Sequence, residues 1–183
     1  RLAKQCRAKP SRCLFTLPST PERTALITEA ASRTWRQLAQ RASEVAAGLV
    51  HRGVRPGSVV ALDGRPSARW VETFFGITWL GAIAAPIAPG ADDHMLASLG
   101  ADCVISDDPD AVPAGPWITL RLVEDLPFEA PAPEREWFLE RPLVRLLTSG
   151  TTGTATPVTL TVGQVLFGAL GSTIRLGHHG EDR

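Results

Sequence analysis

The chain has 183 residues, 44% of them hydrophobic and 21% charged, which argues against disorder and suits one core, or one domain plus part of another. Nineteen basic residues offset nineteen acidic ones, so no net field selects nucleic acid or an anionic membrane. The basic residues are almost all arginines and are spread along the chain rather than clustered.

In chain order, Thr24–Thr28 and the stretch around Arg33-Thr34-Trp35 flank a short turn and predict a hairpin. Thr34 is positioned to cap a helix running from Trp35 to about Arg52. Leu38, Ala42, Val45, Ala46 and Leu49 share one face of it, while Arg36, Gln40 and Glu44 fall elsewhere. Gly53 supplies a stop, Arg55-Pro56-Gly57-Ser58 a turn, and Val59–Leu62 a short buried strand. The pattern repeats. Ser67 caps a helix from Ala68 to Leu80, followed by a strand around Ala82–Ile87. Asp92 or Asp93 then caps a short helix to Leu99, followed by a strand at Asp102–Ser106. Alternating helices and nearly continuous apolar strands predict an α/β fold with a largely parallel sheet, flanked by helices on both faces. Its parallel connections are expected to be right-handed.

Residues 107–142 are interrupted by prolines from Pro109 to Pro142 and carry one predicted strand, Trp117–Leu120. They read as an irregular connection across the surface. Leu143–Leu147 has the apolar content of a buried strand, and Val158–Leu160 can form another. Thr161 is positioned to cap a helix from Val162 to about Leu176, in which Gly163, Gly168 and Gly171 predict close packing on one face. The chain thus divides into a hairpin with α/β units (1–106), a proline-rich connection (107–142) and a strand–loop–strand–helix segment (143–183).

Several features point away from chemistry. Phe74–Pro89 is the most apolar stretch, but it is shorter than the roughly 20 residues a spanning helix needs and is broken by Gly81, Pro86 and Pro89. No membrane span is expected. Cys6, Cys13 and Cys103 lack metal-ligand spacing; Cys103, within Cys103-Val104-Ile105, is expected to be a buried reduced thiol. The odd cysteine count and lack of a secretory leader lead us to expect a cytoplasmic protein. His178-His179, with Glu181 and Asp182, reads as a solvated tail more readily than as a metal site. His51 suits the end of its helix, Asp92-Asp93 and Asp107-Asp108 read as cap and turn residues, and the five tryptophans as core.

The most informative stretch is Leu146–Val158, where an apolar run stops at small, hydroxyl-bearing residues. Thr148-Ser149-Gly150-Thr151-Thr152-Gly153 can gather backbone N–H groups and hydroxyls around one anion, because glycine permits unusual backbone angles and adds no side chain. By composition alone the same loop suits a linker. Its setting between two predicted strands favours the phosphate cradle. It is not a Walker A loop, since no lysine follows Lys9.

Thr148–Gly153 matches, residue for residue, the Thr-Ser-Gly-Thr-Thr-Gly loop of the adenylate-forming superfamily of acyl-CoA synthetases, luciferases and peptide-synthetase adenylation domains. Thr34-Trp35-Arg36-Gln37-Leu38, Gly53-Val54-Arg55-Pro56-Gly57-Ser58 and Leu80-Gly81-Ala82-Ile83-Ala84-Ala85-Pro86 resemble further segments of that superfamily, in the same order. Pro157-Val158-Thr159-Leu160-Thr161 most resembles the o-succinylbenzoate–CoA ligase branch of menaquinone biosynthesis.

The resemblance implies an acid–thiol ligase that uses ATP, Mg²⁺ and coenzyme A on a small carboxylic acid, with neither nucleic acid nor membrane as partner. A carboxylate attacks the α-phosphate of ATP to give an acyl-adenylate, and a thiol then displaces AMP. ATP phosphates would lie on Thr148, Ser149, Gly150, Thr151, Thr152, Gly153 and Thr156. There is one departure. The superfamily continues its loop with Pro-Lys, and the aligned positions here are Ala155 and Thr156, so a hydroxyl stands where an ammonium is usual. The superfamily's adenine pocket, ribose-binding Asp, hinge and C-terminal catalytic Lys lie beyond residue 183. The chain is therefore expected to be an incomplete N-terminal portion of the large domain, with no catalytic residue or metal site of its own and no turnover alone. The alternative is a truncated, non-catalytic adenylation-like domain that binds a partner or ligand. Oligomeric state stays open, a homodimer included.

Overall fold

A computed structural model describes residues 21–122, 137–148 and 156–177. Strands β1 (Thr24–Ile27) and β2 (Ser32–Thr34) pair antiparallel and lead directly into helix α1 (Trp35–His51). Thr34 closes a capping box: its hydroxyl accepts from the Gln37 backbone N–H, and the Gln37 side chain accepts from the Thr34 N–H at 2.9 Å. Helices α2 (Ala68–Leu80) and α3 (Asp93–Leu99) start in the same local way, on the Ser67 hydroxyl and the Asp92 carboxylate. Helix α2 ends at Gly81 in the left-handed region (φ 88°), which glycine enters without a Cβ penalty.

The main sheet runs in the order β6-β5-β3-β4-β7-β8, with β3 Val59–Asp63, β4 Ile83–Ile87, β5 Cys103–Ser106, β6 Ile118–Arg121, β7 Pro142–Thr148 and β8 Thr156–Thr161. Neighbours are parallel except β7 and β8. Period-two alternation sorts the side chains to two cores. Val60, Leu62, Cys103 and Ile105 pack against Val45 and Leu49 of α1 and Ile77 and Leu80 of α2. Val59, Ala61, Ile83 and Val104 belong to the opposite face, with Leu96 and Leu99 of α3. This is the mixed, mostly parallel sheet with helices on both faces that the alternation predicts.

One expectation, on helix α4, is corrected. The segment after residue 106 carries the strand expected of it. Its strand, one residue later than predicted, joins the sheet as the outermost strand, Cys103 opposite Ile118 and Ser106 opposite Arg121, with Leu120 buried. The ladder hydrogen bonds of β5 recruit it, a long-range effect that proline content conceals. Helix α4 (Val162–Leu176) forms as predicted, with a capping box on Thr161, but close packing reaches only Gly163. A Cβ there would meet the Leu139 carbonyl oxygen at 3.1 Å, whereas at Gly168 and Gly171 it would meet nothing among the described residues within 4 Å. Of the tryptophans, Trp137 is buried and Trp70, Trp79 and Trp117 pack partly against the core, while Trp35 is exposed.

Candidate functional site

The parallel strands β3, β4, β5, β6 and β7 all end along one edge of the sheet, at Asp63, Ile87, Ser106, Arg121 and Thr148. Ligands of open α/β sheets bind outside such carboxyl ends. Strand β7 stops at Thr148, and β8 starts at Thr156 and returns antiparallel beside it. Thr148 lies opposite Thr156 and Leu147 opposite Pro157, so the ladder clamps the end of β7 to the start of β8. The Thr148 hydroxyl donates to the Thr156 carbonyl at 3.1 Å, locking that clamp. Of the predicted phosphate residues, Thr148 and Thr156 are thus brought together, both exposed to solvent. Ser149, Gly150, Thr151, Thr152 and Gly153 lie outside the described residues, as do Cys6, Cys13, His178 and His179.

For a nucleotide phosphate the described part fits in position and lacks charge. Thr148 directs its proton to Thr156, and Thr156 brings a hydroxyl. The nearest arginine along β7, Arg145, is engaged elsewhere: its Nη1 donates to the Leu99 carbonyl at 2.8 Å and its Nε to the Thr159 hydroxyl at 2.9 Å. It ties β7 and β8 to the C-terminal end of α3, where a cation suits the helix dipole. Arg141, just before β7, is buried, lies over the Trp137 ring at 4.0 Å and donates to the Thr78 carbonyl in the last turn of α2. Among the described residues, no three His, Cys, Asp or Glu side chains converge as a metal set.

One polar group at this edge escaped the sequence reading. The connection after β3 leads to α2 on one face and the connection after β4 to α3 on the other, the kind of switch beside which open α/β sheets bind ligands. Asp63 ends β3 there and is 7% exposed. The Ser106 hydroxyl donates to its Oδ2 at 3.2 Å, and among the described residues its buried Oδ1 has no hydrogen-bond partner. Burial, and then repulsion from Asp107 and Asp108, hold its carboxyl above the ordinary aspartate range against the Ser106 and Gly90 hydrogen bonds. The only hint in the sequence is an acid closing an otherwise apolar strand. Asp107 accepts from the Arg65 N–H at 3.0 Å and Asp92 caps α3, the turn and cap roles expected of these aspartates. Cys103 is buried and free, its thiol pushed up to about 12, chiefly by burial.

Comparison with known proteins agrees with this geometry. The AMP-binding enzyme family matches residues 16–183. A 2-succinylbenzoate–CoA ligase of Bacillus cereus (strain Q1) is 28% identical over 167 residues, covering 89% of this chain and 35% of the ligase. A double mutant of o-succinylbenzoate CoA synthetase from Bacillus subtilis, bound with its product analogue OSB-NCoA, superposes with a TM-score of 0.80 at 26% identity. That match covers 91% of this chain and 36% of the synthetase. The N-terminal subdomain of Klebsiella oxytoca NpsA, in complex with 3-hydroxyanthranilyl-AMSN, gives 0.71 at 27% identity over 78% of this chain and 38% of that one. The chain spans about a third of the length of these relatives. No described helix is long and apolar enough to cross a membrane.

Proposed function

This chain belongs to the AMP-binding enzyme family, and from that premise we propose that it forms part of an ATP-dependent acid–thiol ligase. The observation that carries the proposal is the pairing of Thr148 with Thr156 at the carboxyl edge of a mostly parallel sheet, within a family match that runs through residues 149–155. In this reading Thr148, Ser149, Gly150, Thr151, Thr152, Gly153 and Thr156 hold the phosphates of ATP through backbone N–H groups and hydroxyls, against charge that develops as pyrophosphate leaves. ATP supplies the adenylyl group that activates the acid, Mg²⁺ offsets phosphate charge, and coenzyme A accepts the acyl group. The Thr148–Thr156 hydrogen bond keeps the two ends of the loop together, and Arg141 and Arg145 anchor β7 from behind. The relatives' names favour o-succinylbenzoate as the acid, and with it menaquinone biosynthesis in the cytoplasm.

The chain alone is expected to give no acid-dependent ATP–pyrophosphate exchange. Exchange is expected with o-succinylbenzoate once the remaining part of an AMP-binding fold is joined to it. Turnover by residues 1–183 would overturn the first statement; a completed protein inert with every carboxylic acid tried would overturn the ligase reading.

A second reading, a non-catalytic domain that binds a ligand or partner, is favoured by one residue. Thr156 brings no charge to the loop where relatives of the adenylate-forming superfamily carry a lysine. If that charge limits nucleotide binding, Thr156→Lys raises ATP affinity by about tenfold in calorimetric titration, the equivalent of ~1.4 kcal/mol. An unchanged affinity would show that this position does not decide ATP use.

A further inference from the structure

Arg33 lies in β2, and Gln37, Gln40 and Arg41 lie on α1, where spacings of three and four put these three side chains on one face of the helix. The four residues line a cavity of about 350 Å³, within the roughly 300–1,000 Å³ range of small-ligand sites. Among the described residues no carboxylate lines it. The surrounding hydrogen bonds decide which atoms are left for a ligand. Glu72 of α2 is buried and accepts from Arg33 Nε at 2.8 Å, while the Ser32 carbonyl accepts from Arg33 Nη1 at 3.1 Å. These bonds fix the guanidinium and, among the described residues, leave its Nη2 without an acceptor. The Gln37 Oε1 accepts from the Thr34 N–H in the capping box, so its amide N–H groups remain to donate. Glu44 accepts from Arg41 Nη1 at 3.0 Å through one oxygen and from Gln40 Nε2 at 2.9 Å through the other. Both Glu44 oxygens are engaged, and the Gln40 amide oxygen is left as a neutral acceptor. The cavity wall therefore sets two guanidinium groups and an amide donor against one neutral acceptor.

We propose that this cavity binds an oxyanion, the phosphate or carboxylate group of a small molecule, held by Arg33 and Arg41 with Gln37 donating beside them. Guanidinium N–H groups make charge-assisted hydrogen bonds to phosphate and carboxylate oxygens alike. Arg33 is the anchor: the buried Glu72 orients it before any ligand arrives, so little side-chain freedom is lost on binding. The Gln40 amide oxygen suits a hydroxyl group on the same ligand. None of these residues belongs to the Thr148–Thr156 clamp, so this proposal and the ligase reading fail separately.

The test titrates residues 1–183 with inorganic phosphate and, separately, with succinate at low ionic strength, following the arginine Nε–H signals by NMR. Saturable binding of at least one anion in the millimolar range is expected, moving the Arg33 and Arg41 signals and leaving that of Arg36. The tighter of the two anions identifies the group the cavity takes. Arg41→Gln should weaken this binding by about tenfold while leaving the melting curve unchanged. Arg36→Gln, which removes an exposed guanidinium on the same helix paired with Glu22, should leave binding intact. Arg33→Gln should abolish saturation; because it also breaks the buried pair with Glu72, Arg41→Gln decides the matter if that variant unfolds. The proposal is overturned if neither anion saturates, or if Arg41→Gln binds as tightly as the parent. It is equally overturned if sodium chloride of the same ionic strength moves the Arg33 and Arg41 signals as far, or if the anions perturb only residues 148–156.

Discussion

Asp63 shows how one buried residue can carry a pH dependence. Its carboxyl is raised in the folded state, mainly by burial, so the folded chain holds that proton more tightly than the unfolded chain does. Stability linked to this group is therefore fully present below the unfolded value of about 3.8 and is lost as pH rises through the folded value. Asp63→Asn keeps an oxygen for the Ser106 hydroxyl and removes the buried charge. Its melting temperature should exceed that of the parent at pH 7, and the difference should shrink to nothing as pH falls toward 3.5. A constant difference across that window would mean the carboxylate is not the source. The cap residues are a contrasting case. Thr34, Ser67 and Thr161, and Asp92 as one of two candidates beside Asp93, are legible in the sequence because each cap bond closes within three residues, whereas Asp63 becomes buried only through strands distant in sequence.

At the scale of elements, the contact between α1 and α2 depends on a missing side chain. A Cβ on Gly76 would lie 2.4 Å from Val45 Cγ1 and 3.2 Å from the Ala42 carbonyl oxygen. Alanine is favoured over glycine within a helix by about 1 kcal/mol, but overpacking a core contact costs ~1–3 kcal/mol. Gly76→Ala should therefore destabilise by about 1–2 kcal/mol in urea unfolding, and adding Val45→Ala should restore part of the loss. A neutral or stabilising Gly76→Ala would refute that account of the contact. Helix α4 behaves in the opposite way. Its Thr161 cap and its end near Leu176 are local and legible in the sequence, but among the described residues the expected close packing stops at Gly163. Burying Phe167, Leu170 and Ile174 would contribute roughly 1.5–3 kcal/mol each, which an exposed face leaves unused.

Across the whole molecule, the sheet is not uniformly held. Strand β3 is central, paired with β4 over five positions and with β5 over four, and every residue of it is buried. The β7–β8 ribbon joins β4 through the Ala84–Val144 pair and is braced by Arg141 and Arg145. Native-state hydrogen exchange should find the β3 amides slowest, opening only with global unfolding, and the β8 amides faster by about tenfold or more. Equal protection in both would mean that the ribbon and the sheet unfold as one unit.

Helix spans, caps, turns and the α/β class were determined by the sequence, because periodicity and capping act within a few residues. The Thr148–Gly153 motif likewise marked the family without any coordinates. Strand order was decided only by the tertiary structure, which put β3 at the centre and β6 at the edge, buried Asp63 and joined Thr148 to Thr156. The central place of β3 and the burial of Asp63 depend on pairing and desolvation between segments tens of residues apart, for which no local pattern carries a signal; the Thr148–Thr156 bond spans eight residues, and its register too is set by the strand pairing.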